Sequence, residues 1–248
     1  MVRTSSPEEP QLPAGAGDGR IALDRLAALE LFSGLEAAEL AQLARGTRHR
    51  RLGAGEPLWL TGERATFFAV IEAGVVEIRQ MTPTGEGVVV GLFRTGETIG
   101  LSAALEGGFF PADAIALGGA VDLLTIRSSV LQQALASSVA LARVVNRALL
   151  QHTAALRAKI GIVSAGSVPR RLAVLMVYLI ERFGRTLGTG AVAVDLNLTR
   201  EDISQLVSAR VETVIRILSR WHKAGWLVNR PGGIEIARAD MLRRILQT

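Results

Sequence analysis

Glu212 and Arg216, four residues apart, are the pair in this sequence whose types and spacing could do the most specific chemistry. They lie in LTREDISQLVSARVETVIRILSRWHKAGWL, residues 198–227. At about 100° per residue, a helix beginning near Val211 places Val214, Ile217, Leu218 and Trp221 on one face. Glu212, Ile215, Arg216 and Ser219 fall on the opposite one. If the helix needed only solubility, Glu212 and Arg216 would form an exposed pair worth about 0.2–0.5 kcal/mol. In a DNA major groove the same arginine can donate two hydrogen bonds to guanine O6 and N7. The glutamate can then accept from cytosine N4 and orient the arginine. Ile215, with Val211 beside it, gains nothing by facing water, and both can meet thymine methyl groups. The base-reading set is therefore Val211, Glu212, Ile215, Arg216 and Ser219.

The surrounding residues supply the elements that must hold this face. Thr199 can cap a helix running through Gln205, with Glu201 and Asp202 placing negative charge on its N-terminal dipole. A short Ser-Ala-Arg turn separates the two helices. Thr199, Arg200, Arg210 and Thr213 lie at helix N-termini, where phosphate contacts are natural. Upstream, Gly166 is a helix stop, Ser167 a cap and Pro169 a first-turn residue for a helix over 168–183. A Gly-rich connector spans 184–190. Downstream, WLVNRPGGIEI reads as a hairpin, so 167–248 has the order of a winged helix. From residue 168 onward there are 13 Lys and Arg against 7 Asp and Glu, whereas residues 1–167 carry 15 against 16. The basic excess thus sits on the segment that would meet a polyanion.

Residues 21–45 read as short helices. From 47 to 127 the texture changes to short β-favouring runs, PLWL, TFFAVIEA, VVEIRQ, GVVVGLF and VDLLTI, punctuated by glycines such as Gly62, Gly74 and Gly96. That pattern indicates a β-sandwich or roll. A short helix follows over 130–135 and a long one over 137–164. Along the latter, Leu141, Val145, Leu149, Leu156, Ile160 and Val163 recur at three-, four- or seven-residue steps, interrupted at Thr153. This is the narrow seam of a coiled coil, giving a dimer interface of Val145, Leu149, Leu156, Ile160 and Val163. The alternative is that the stripe packs on its own β-domain. The fold class is α+β: a disordered tail over 1–20, a jelly-roll-like sensor over 21–136, a dimerisation helix over 137–166, and a winged helix-turn-helix over 167–248.

Composition excludes several function classes. The chain has no cysteine, which removes disulfides, thiolate metal sites and cysteine nucleophiles. No apolar run reaches the roughly 18 residues of a membrane span. The N-terminal stretch lacks a secretory apolar core, so a cytoplasmic location is expected. Nucleophile-elbow, phosphate-loop and zinc-protease motifs are absent, so the expectation is a non-enzyme.

The pattern LTREDISQLV–SARVETVIRIL resembles the helix-turn-helix of the CRP/FNR superfamily of bacterial transcription regulators. Glu212, Thr213, Val214 and Arg216 match its Glu-Thr-Val-x-Arg core, and the resemblance covers nearly everything after residue 20. It implies a homodimer on a pseudo-palindromic operator, regulating through contact with RNA polymerase. The catabolite-activator branch has an arginine where this chain has Val211. The Val-Glu pair resembles the FNR branch, with Ile215 in place of its serine. Both branches imply a TGA-type half-site. Ser208 stands where the turn glycine is usual. In cyclic-nucleotide-binding members a Gly-Glu pair, followed about ten residues on by an arginine and a hydroxyl residue, holds the phosphate. Here Gly100 matches, but Leu101, Pro111 and Ala112 occupy the remaining positions, and the long-helix contacts become Leu156 and Arg157. Cyclic AMP is thus disfavoured. Three occupancies stay open: an apolar or weakly polar effector lined by Leu101, Ala104, Leu105, Phe109, Phe110 and Leu156; haem, with His152 the one reasonable ligand against a surface or interface role for it; or nothing. A rival of another class is a nucleotide-sensing or scaffolding module whose winged helix binds protein.

Overall fold

The computed structural model describes residues 18–82, 87–188 and 190–247. The expected disordered tail falls outside these residues up to position 17, while 18–20 open the first helix. A helical cap, α1 (Asp18–Ala28), a 3-10 turn (Glu30–Phe32) and α2 (Ala37–Ala44), precedes the roll. Strands β1 (Thr47–Leu52), β2 (Pro57–Trp59), β3 (Phe67–Ala73), β4 (Val75–Met81), β5 (Gly87–Arg94) and β6 (Thr98–Ile99) follow in order. Next come α3 (Leu101–Glu106), β7 (Asp113–Ala116), β8 (Val121–Arg127) and α4 (Ser128–Leu135). They form two antiparallel sheets, ordered β1-β8-β3-β6 and β2-β7-β4-β5.

The near-continuous apolar runs FFAVI and VDLLTI have a physical reason. Ala69 and Ile71 of β3, with Val121 and Leu123 of β8, point into the core between the sheets. Their neighbours Phe68, Val70, Leu124 and Ile126 point the other way, beneath α1, α2, α4 and the start of the long helix. Successive side chains alternate across a strand, so both faces of these strands are covered and neither can be polar.

The long helix α5 (Val139–Val163) carries the chain to α6 (Val168–Phe183). Ser138 caps it by accepting from Leu141 N. One face passes all three cores: Leu141, Val144 and Ala148 in the first, Ala155 between the sheets, and Ile162 against the C-terminal domain. At the N-terminal end of the expected seam Leu141 is buried in its own chain, while Val145 and Leu149 are half-buried, each touching the same core from its margin. Leu156 and Ile160, 53% and 60% exposed, lie on a neighbouring face with half-buried Leu149 and Val163. Thr153 sits among them with its hydroxyl donating back to Leu149 O at 3.0 Å.

The C-terminal domain continues with β9 (Gly184–Thr186), β10 (Val192–Val194), α7 (Arg200–Val207), α8 (Val211–Lys223), β11 (Leu227–Arg230), β12 (Gly233–Ile236) and α9 (Ala239–Gln247). The expected connector 184–190 thus contains a strand, and the wing is a four-stranded sheet ordered β11-β12-β10-β9. Its core of Leu172, Met176, Leu179, Leu206, Val214, Leu218 and Trp221 is continuous with Val89 and Leu92 of β5 and with Leu117. The reader domain is therefore packed directly on the β4–β5 hairpin.

Candidate nucleic-acid interface and sensor cavity

The two-helix reader is built from short-range rules. Thr199 accepts from Asp202 N at 3.0 Å, and the Asp202 carboxylate accepts from Thr199 N at 2.8 Å, a reciprocal capping box that starts α7. The turn then requires a left-handed residue. Ser208 takes it with φ 49°, the one non-glycine with positive φ among the described residues. That conformation costs a non-glycine side chain about 1–2 kcal/mol. The turn is tied down from outside: Arg171 of α6 donates to Gly166 O, Val207 O and Ser208 O at 2.9, 3.3 and 3.1 Å. Lys159 of α5 donates to Gln205 O and Leu206 O at 2.9 and 2.7 Å, and burial pushes its pKa down to about 8. A cation against the last carbonyls of α7 also suits that helix's negative end.

With the turn held, α8 presents two faces. Val214, Ile217, Leu218 and Trp221 are buried. Glu212, Ile215, Arg216 and Ser219 are exposed, Ile215 at 44%. Among the described residues Glu212 and Arg216 form no ion pair with each other, so both ends stay available to a ligand. Val211 is half-buried and, with Arg210 and Glu212, borders a cleft of about 980 Å³ whose opposite wall is Arg79, Met81, Gly87 and Val88 of the hairpin. Arg210 and Thr199 are exposed and Thr213 half-buried. Thr199 uses its oxygen as an acceptor in the cap, leaving its O–H free to donate. Arg200 is half-buried and reaches Asn229 of β11 at 3.5 Å, so it joins the wing to the reader.

Residues 170–245 match the Crp-like helix-turn-helix domain, and residues 49–138 match the cyclic nucleotide-binding domain. The chain belongs to the CRP/FNR superfamily of transcription regulators. It is 24% identical over 219 residues to the CRP-like cAMP-activated global transcriptional regulator of Mycobacterium tuberculosis, covering 88% of this chain and 97% of that protein. It is also 24% identical over 213 residues to the nitrogen fixation regulation protein FixK of Bradyrhizobium diazoefficiens, covering 85% and 88%. In fold it is similar to a CRP-family transcriptional regulator from Thermus thermophilus, with a TM-score of 0.68 at 19% identity over 80% and 97% of the two chains. No helix among the described residues is long and apolar enough to cross a membrane.

In this CRP/FNR chain the roll encloses a cavity of about 270 Å³ against α5. Of the residues expected there, Gly100, Pro111, Ala112 and Leu156 line it. Leu101 and Arg157 do not: Leu101 is buried in the core beneath α1 and α4, and Arg157 projects to solvent. Ala104 and Leu105 follow Leu101 into that core because α3 turns its other side, Ser102 and Ala103, to the cavity. Phe109 is 58% exposed, and the Arg64 guanidinium lies over its ring. Trp59, Ile78, Gln80, Val90, Phe93 and His152 complete the walls, a set drawn from β2, β4, β5 and α5 that no single segment signals. Gly100, at φ +75°, has no room for a side chain: a Cβ there would lie 2.8 Å from Trp59 and 2.9 Å from Phe110.

A cyclic nucleotide does not fit this donor set. Among the described lining residues there is no lysine or arginine. A buried phosphate without a guanidinium or ammonium partner costs several kcal/mol, of order 5. His152, the expected haem ligand, is held by its own chain: Nε2 lies 2.5 Å from Thr98 O, and a carbonyl only accepts, so that nitrogen carries the hydrogen and the ring's lone pair is on Nδ1. Burial holds the His152 pKa below the ordinary value, keeping the ring neutral, and the ring stands edge-on to Phe93 at 5.2 Å.

The hairpin has two working faces, which the sequence pattern alone does not signal. Ile78 and Gln80 look into the cavity, while Glu77 and Arg79 look toward α7. Arg79 pairs with Glu77 on its own strand and lies 3.8 Å from Asp202 of the capping box. Glu77 is 1% exposed and one of its carboxylate oxygens has no hydrogen-bond partner. Burial raises its pKa to about 7, against the pull of Arg79 and with a contribution from Asp202.

Proposed function

We propose that the chain is a homodimeric transcription regulator that binds a TGA-containing pseudo-palindrome and works without cyclic AMP. One observation carries the reading: Glu212, Ile215, Arg216 and Ser219 form an outward face on a helix whose inward face is fully packed. An exposed isoleucine between an uncommitted glutamate and arginine suits a major groove with a G·C pair and a thymine methyl. Thr199, Arg210 and Thr213 supply phosphate contacts at the two helix N-termini, and Arg200 links them to the wing. Dimerisation is supported by exposed Leu156 and Ile160 on α5, flanked by half-buried Val145, Leu149 and Val163, a stripe that a parallel copy would cover. Independence from cyclic AMP rests on the cation-free cavity. The protein acts in the cytoplasm through contact with RNA polymerase, and its role is binding, not catalysis. A signal in the cavity reaches the readers as a population shift between two dimer geometries, through the segment 165–168.

Selection from a random duplex pool tests this. The protein should recover paired TGA half-sites about one helical turn apart, without added nucleotide. Recovery of unrelated sequences, or retention only when cyclic AMP is present, would overturn it.

A further inference from the structure

Resting on the regulator reading above, this inference concerns the signal the sensor takes. We infer that the cavity between β4, β5, α3 and α5 is a site for a small uncharged molecule built around a planar ring with one hydroxyl or carbonyl substituent, in place of a cyclic nucleotide. Its volume, about 270 Å³, exceeds the ~150 Å³ known to accept a benzene ring and suits one or two fused rings. Its walls are flat aromatic surfaces: Trp59 and Phe110 stack at 3.9 Å with their planes 8° apart, and Phe93 with His152 forms the other side. Apolar ring faces of this kind favour another ring, stacked or edge-on. No charged side chain is among the described lining residues, so an anion or a cation would be desolvated without compensation. Besides His152, the polar side chains of the lining are exposed Ser102 and Gln80, which can each meet a single hydroxyl or carbonyl.

The position of the cavity makes its occupant a signal. Its walls include Ile78 and Gln80, whose neighbours Glu77 and Arg79 bear on Asp202, and His152 and Leu156, two turns and one turn before the Lys159 clamp on α7. Filling the cavity therefore presses on both elements that hold the reader.

Calorimetric titration of the full chain with phenol, indole, 2-naphthol and cyclic AMP tests the inference. At least one ring compound should bind saturably at one site per chain, and cyclic AMP should not bind at millimolar concentration. Ala155→Leu fills the cavity floor, and Ser102→Trp, on an exposed position that leaves the core intact, blocks the mouth. Each should weaken ring binding by at least roughly tenfold, about 1.4 kcal/mol. Where Ala155→Leu disturbs folding, Ser102→Trp decides. Saturable binding of cyclic AMP, failure of all three ring compounds, or ring binding untouched by Ser102→Trp would each overturn the proposal. Duplex selection by the same preparation separates the two readings. If operators are recovered and the rings fail, only this inference falls; if a ring binds and no duplex is recovered, the regulator reading falls.

Discussion

Replacing Glu77 by glutamine should remove that carboxyl's own contribution to the pH dependence of stability between about pH 5 and 8. Glu77 stands on β4 with its side chain sealed between the hairpin and α7. The charged groups that face it are Arg79 from its own strand and Asp202 from α7. Burial raises its pKa from 4.5 to about 7. A group that binds its proton more tightly when folded stabilises the fold fully below the unfolded value, about 4.5, and loses that contribution as pH rises through about 7. At roughly 1.4 kcal/mol per pH unit, this interval corresponds to at most about 3 kcal/mol. Glutamine copies the protonated form in shape and keeps an oxygen for Arg79. Urea unfolding of both proteins across this range measures the effect. Glu77→Gln should be more stable than the wild type by up to about 3 kcal/mol at pH 8, with the gap closing toward pH 5. Subtracting one protein from the other cancels the contributions of every group the two share. A gap that stays constant with pH, or a variant less stable at pH 8, would refute the reasoning.

Lys159→Met removes two donors from the carbonyls of Gln205 and Leu206, so operator affinity should fall by about 1.5–3 kcal/mol with base preference unchanged, as read by fluorescence anisotropy. A changed base preference would show that Lys159 acts at the groove instead. Ser208→Gly relieves the left-handed strain at φ 49° and should raise stability by about 0.5–1 kcal/mol, seen as a higher melting temperature. A lower one would mean that the serine side chain contributes more than the strain costs. Leu156→Asp with Ile160→Asp places two charges on the exposed stripe of α5, and sedimentation should shift from dimer to monomer while the roll stays folded.

The reader was legible because local rules fix it. The period of Val214, Ile217, Leu218 and Trp221 orients α8 without any knowledge of the tertiary fold, and the Thr199 cap and the position of Ser208 follow from neighbours within four residues. The strands β3 and β8 announced themselves through runs apolar on both faces. The long helix was harder, because its apolar residues serve two adjacent faces. Leu141 continues the same numerical pattern as Leu156 yet is buried in the chain's own core, and Val145 and Leu149 touch that core from the edge of the exposed face. The cavity was largely hidden, since Trp59, Ile78, Phe93 and His152 come from separate elements and meet only through sheet pairing. Leu101 was illegible for a related reason: adjacent residues on α3 diverge, and only the packing of α3 says which side faces inward. The last helix did leave a signal, because Leu242, Ile245 and Leu246 have the spacing of one buried helical face. The contact of Glu77 and Arg79 with Asp202 left none, for it depends on how two domains dock.

Duplex selection repeated with Arg216→Ala isolates the base contact on which the regulator reading depends. In the proposed complex Arg216 donates to one guanine in each half-site while Glu212 holds it. The wild type should therefore enrich one G·C pair that the variant no longer distinguishes, at a cost of about 1–3 kcal/mol per half-site and with the remaining positions still read. A variant that recovers the same sequences with the same preference at every position would contradict it.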